Sequence, residues 1–184
     1  MSWNNQSKLR NIIIAGILSA LSFVLMRFIE FPIFASAPFL KTDLGDIPLL
    51  IGAIFLGPIY AIAIAFIKNL LFLISGAGQG GPLGVLVNFI AVTSFSVIVG
   101  LLTYKKQKLL FLLLGLFLGT MALAIVMIPV NMWAVPLFIP SFTRAQLIEY
   151  IYRVNLPFNL LKGAIDSIII IPLWLALRKR KIFN

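Results

Sequence analysis

Long apolar runs alternate with short polar stretches along this chain, and the runs dictate its elements. A helix that crosses a bilayer needs about 20 mostly apolar residues. Ile12–Met26 is the first run, opened by Lys8 and Arg10 and closed by Arg27 and Glu30. Leu83–Tyr104 is a second and carries no formal charge. Leu109–Ile139 is long for one crossing, and Pro129 within it predicts a bend. Leu156–Leu177 is the last, with Lys162 and Asp166 inside it. Between these lies Ile47–Ser75, apolar apart from Lys68 and Asn69 and interrupted by Gly57-Pro58. That break predicts two helices, 47–56 and 58–75, and therefore six in all. The second, at ~15 Å by the helix rise, must be packed inside protein or tilted in a thinned bilayer. The polar stretches Glu30–Asp46, Gly76–Pro82 and Ile139–Asn155 read as loops on one side, two of them long enough to be lids.

Composition agrees with a lipid environment. Hydrophobic residues make up 61% of 184 residues and charged residues 11%, with mean hydropathy +1.10. Soluble domains run at about 45–50% and roughly 25%. The expected fold is all-α: an integral membrane protein of six transmembrane helices, residues 1–184 forming one domain. Ala35-Ser36-Ala37 resembles a signal cleavage site, but the preceding run is long for a signal, and it is read as a retained helix.

Net charge is +10. In a soluble chain that would suggest nucleic acid; here the basic residues report topology. Six crossings put Lys8, Arg10, Lys105, Lys106, Lys108, Arg178, Lys179, Arg180 and Lys181 on one side with no acid. Lys and Arg collect on the cytoplasmic side, so both termini are expected inside. The chain has no Cys and no His, which excludes disulfides, thiolate and imidazole catalysis and Cys/His metal sites. It also has no phosphate-binding G-x-x-x-x-G-K-[ST] loop. Uphill transport would therefore draw its energy from another subunit, and no enzymatic role is expected.

Polar side chains at membrane depth are expensive and direct attention to themselves. Asn159, Lys162 and Asp166 share one helix face. Either Lys162 and Asp166 neutralise each other, or Asn159 and Lys162 face a polar ligand. Asn131 follows Pro129 and either satisfies carbonyls freed by the proline or points at the same ligand, with Trp133 as an aromatic wall. Asp46 before Ile47-Pro48 fits an N-cap, and nothing more is expected of it. Asn88 is expected to join helices. Gly16-x-x-x-Ala20 and Gly115-x-x-x-Gly119 are small-residue faces suited to close helix approach, within the chain or with a partner.

Read in order, Phe39-Leu40-Lys41-Thr42-Asp43 with Asp46-Ile47-Pro48, Gly57-Pro58, Ile67-Lys68-Asn69, Asn88-Phe89, Asn131 and Pro157-Phe158-Asn159-Leu160-Leu161-Lys162-Gly163 resemble the substrate-binding S components of energy-coupling factor vitamin transporters, and most closely the riboflavin-specific members. The resemblance implies a six-helix cell-membrane protein that binds riboflavin, with FMN a second candidate ligand, and uses no cofactor. It implies that Asn131, Asn159 and Lys162 hydrogen-bond the flavin ring edge, while Leu40, Lys41, Thr42, Asp43 and Gly45 lie along a lid and the ribityl chain. Trp133 would add an apolar wall. It further implies docking, through an A-x-x-x-A face matched here by Gly16 and Ala20, onto a membrane coupling subunit with two ATPases. Transport by toppling in the membrane is part of what it implies. The alternatives are an S component for another vitamin or precursor, and a structural membrane protein whose polar pairs only join helices.

Overall fold

No Gly or Pro interrupts the chain before Gly16, so helix α1 begins well ahead of its apolar run and spans Trp3–Phe28. The computed structural model describes residues 3–35, 40–76 and 80–178. After α1 the chain forms a small antiparallel hairpin of β1 (Glu30–Pro32) and β2 (Lys41–Asp43), pairing Glu30 with Asp43, Phe31 with Thr42 and Pro32 with Lys41. Helices α2 (Asp46–Phe55), α3 (Pro58–Ile74), α4 (Gly81–Thr103) and α5 (Leu109–Phe138) follow. A short α6 (Arg144–Tyr150), a π-helical turn (Ile151–Asn155) and α7 (Leu156–Leu177) complete the chain. All six expected apolar helices are present: five lie within two residues of their predicted ends, and α1 begins nine residues before Ile12. The hairpin is an addition to the all-α expectation. Lys179, Arg180, Lys181 and most of the Ala35–Ala37 motif lie outside the described residues.

Gly57-Pro58 breaks the second apolar run as expected. Gly57 sits at φ +107°, a conformation other residues avoid, while the amides of Leu56 and Gly57 both donate to the Gly52 carbonyl. Pro58 then opens α3, where its missing N–H costs nothing. By contrast, α5 stays helical through Pro129 and Pro136.

Four segments are long and apolar enough to cross a membrane: Gln6–Phe28, Gly81–Thr103, Leu109–Phe138 and the continuous Arg144–Leu177. Helix α2 is short, and the structure packs it within protein. It touches α1, α3, α4 and α7, and Leu49, Leu50, Ala53 and Ile54 are almost wholly buried. Ile47, Leu50 and Ile54 join Phe95, Val99, Leu116, Leu123 and Trp174 in the largest apolar cluster. The two small-residue faces separate. A Cβ at Gly119 would lie 2.7 Å from the Phe95 ring, so that face serves α4–α5 packing. Gly16 has nothing within 4 Å, and Ala20 is also exposed. Around them Ile12, Ile13 and Ile17 are exposed too, a surface suited to lipid or to another apolar chain.

Candidate substrate-binding site

Helix direction alternates, so the C-terminal ends of α1, α3 and α5 and the N-terminal ends of α4 and α7 gather at one end of the bundle. Between them, under the hairpin, lies a cavity of about 410 Å³. That volume falls within the ~300–1,000 Å³ of small-molecule sites. Its apolar wall comes from Met127, Val135 and Phe138 of α5, Phe158 of α7, and Met26, Phe72 and Val85 opposite. Polar groups enter it from Asn88, Asn131, Asn155, Asn159, Tyr150 and the charged Glu30, Lys41, Asp43 and Lys162.

The amides are oriented by their own helices. The Nδ2 of Asn131 donates to the Met127 carbonyl at 2.8 Å, one turn back. That is not the Ile125 carbonyl freed by Pro129, and the amide oxygen accepts nothing from the described residues. Asn159 Nδ2 donates to the carbonyl of Asn155 at 2.8 Å and to its Oδ1 at 3.0 Å. Asn155, Asn159 and Lys162 follow at intervals of four and three, one stripe along α7. Asn88 Nδ2 donates to Asn69 Oδ1 at 3.0 Å, joining α4 to α3 as expected while also facing the cavity.

Below the amides is a buried cluster of charge assembled from four elements. Lys162 Nζ lies 2.7 Å from Asp46 Oδ2 and 3.7 Å from Asp43 Oδ2. Lys68 Nζ pairs with Asp46 Oδ1 and lies 3.9 Å from Asp43 Oδ1. Asp43 also accepts the Gly45 amide at 2.8 Å. Two ammonium and two carboxylate groups balance, which is what makes such burial tolerable. Asp46 is thus no mere cap. Gly45 holds the N-cap position, no side chain caps the helix, and the Asp46 carboxylate bridges both lysines. Asp166 is not the partner of Lys162: its two oxygens are buried with no hydrogen bond among the described residues.

The structure brings Leu40, Lys41, Asp43, Asn131, Asn159 and Lys162 together around the cavity. It does not bring in three other residues singled out in the sequence. Trp133 is 54% exposed, because a residue two positions from Asn131 lies on the far side of the helix. Thr42 is buried behind the hairpin, since strand neighbours alternate faces. Gly45 contributes its N–H to Asp43 rather than a cavity surface. Tyr150 and Asn155 escaped the sequence reading because 139–155 was expected to be a loop. The Thr143-x-x-Gln146 capping box, with both reciprocal bonds formed, is the signal that marks a helix there. The π-helical turn then carries the chain into α7 without a break, as such turns often do at functional sites.

A polar-floored cavity open at one end of an apolar bundle defines a membrane protein that takes up a small ligand. The chain belongs to the family described as ECF transporter, substrate-specific component, whose model matches residues 10–174. It is a multi-pass membrane protein. It is 32% identical over 171 residues to the riboflavin transporter FmnP of Bacillus subtilis, covering 88% of each chain. Against the riboflavin transporter RibU of Streptococcus thermophilus it is 34% identical over 175 residues, 90% of this chain and 82% of the relative. For RibU of Staphylococcus aureus the figures are 33% over 176 residues, 92% and 91%. A solved structure described as "Structure and mechanism of the S component of a bacterial ECF transporter" superposes with TM-score 0.79 at 32% identity, over 94% of this chain and 97% of the other.

Proposed function

We propose that this protein is the riboflavin-binding subunit of an ECF-type vitamin transporter. The observation that carries the reading is the amide and ammonium set, Asn131, Asn155, Asn159 and Lys162, gathered on one side of a cavity whose facing walls include Met127, Val135, Phe138 and Phe158. A flavin matches it. The pyrimidine edge offers two carbonyls and an imide N–H, which suit amides and an ammonium. The dimethylbenzene end suits Met127, Val135, Phe138 and Phe158. Oriented so, the ribityl chain runs toward Leu40 and Lys41 on the hairpin, with Asp43 beside Lys162 at its deep end and Gly45 and Thr42 supporting the hairpin from behind. Trp133 serves the bilayer interface instead.

In this reading all six apolar helices belong to one transmembrane domain with both termini in the cytoplasm. Lys8, Arg10, Lys105, Lys106, Lys108 and Arg178 all lie at the end away from the cavity, as that orientation requires. The open face around Gly16 and Ala20 would receive the coupling subunit, which would carry two ATPases.

Titration of purified protein with riboflavin, read by flavin fluorescence quenching, tests the reading. Saturable quenching supports it and its absence overturns it. Competition by other vitamins decides between riboflavin and a different vitamin as the ligand.

A further inference from the structure

Four of the residues lining the cavity are charged, and they form two layers. The deep layer is Lys162 and Asp43, within the balanced cluster already described. The outer layer is Lys41 and Glu30 on the hairpin, with Lys41 Nζ 2.6 Å from Glu30 Oε1. These two side chains are 25% and 31% exposed, so they stand at the mouth. The hairpin register explains the pair. Glu30 lies directly opposite Asp43, an unfavourable juxtaposition of like charges. Lys41, on the same strand as Asp43 and diagonal to Glu30 on the same face, places a cation within reach of the β1 acid. Lys41 is the sole cation lining the mouth among the described residues, and it is occupied.

We propose that Glu30 sets the charge selectivity of the site, holding Lys41 away from incoming anions and adding its own negative charge at the mouth. A ribityl chain ending in a hydroxyl is then accepted over one ending in a phosphate ester. The inference rests on the flavin reading above, with the ring at the amides and the ribityl terminus at the hairpin. A phosphate there would meet Glu30 as a like charge and would have to displace it from Lys41.

Wild type, Glu30→Gln, Lys41→Gln and the double variant are titrated with riboflavin and with FMN at low and high salt. In Glu30→Gln the affinity for FMN relative to riboflavin is expected to rise about fivefold, the scale of one partly exposed charge interaction. Lys41→Gln, which leaves Glu30 unpaired, lowers that ratio below wild type. The double variant loses the gain, and high salt shrinks every difference. A ratio unchanged in Glu30→Gln, or one that Lys41→Gln fails to lower, overturns the inference while riboflavin binding by wild type leaves the flavin reading standing. Failure of wild type to bind riboflavin overturns both.

Discussion

At the cavity end, β2, α2, α3 and α7 meet through Asp43, Asp46, Lys68 and Lys162, all buried and all charged. At the opposite end, α2, the α4–α5 turn and α7 meet through one neutral amide. Gln107 Nε2 donates to the Ile54 carbonyl at 3.0 Å, and Trp174 Nε1 donates to Gln107 Oε1 at 3.2 Å. Both junctions fasten the same short helix. The neutral one holds with little desolvation. The ionic one holds only while every partner is present, because a lone ion left in a dry interior is far costlier than the pair was favourable. The contrast teaches that the charged end is kept for what it presents to the cavity, namely an ammonium fixed in place with its charge balanced.

Breaking the ionic junction has the largest expected effect. Asp46→Ala leaves two buried lysines to share Asp43 alone and should cost about 3–5 kcal/mol of stability, seen as a steep loss of thermal midpoint in detergent. An unchanged midpoint would erase the contrast between the two ends. Lys162→Met is gentler on the fold, because Asp46 keeps Lys68. Riboflavin affinity should fall about 10- to 100-fold by quenching titration, the worth of a hydrogen bond from a charged donor. Asn131→Ala and Asn159→Ala should each weaken riboflavin about five- to tenfold and leave the elution profile monodisperse. At the neutral end, Gln107→Ala removes two hydrogen bonds and should cost about 1–2 kcal/mol of stability with riboflavin affinity unaltered. Trp133→Ala should change affinity by no more than about twofold, as a side chain on the outer surface; a larger loss would return it to the cavity wall.

The helices were legible in the sequence because lipid imposes length and apolarity directly, and Gly57-Pro58 announced its own break. The convergence of Asn159 and Lys162 was legible too, since helical spacing fixes which residues share a face. Asp46 was not. Its partners lie 22 and 116 positions along the chain, and spacing speaks only of neighbours within a turn or two. The i,i+4 pair Lys162–Asp166 was the local candidate, and tertiary packing chose a distant acid instead. Trp133 and Thr42 differ: the helical and strand periods already placed them away from Asn131 and from Lys41 and Asp43. There proximity in sequence was weighted over direction.

Helix α2 is ten residues long, where a full crossing takes about 20. Its last turn is tethered beside the basic α4–α5 turn, so in the proposed orientation its first residue would lie roughly halfway through the hydrocarbon, at ~1.5 Å per residue. The hairpin that leads into its first turn lends Glu30, Leu40, Lys41 and Asp43 to the cavity, so the short helix leaves room at this end for a chamber rather than filling it. In the proposed six-helix orientation, a ligand at the cavity floor would sit near the middle of the membrane before the bundle moved at all.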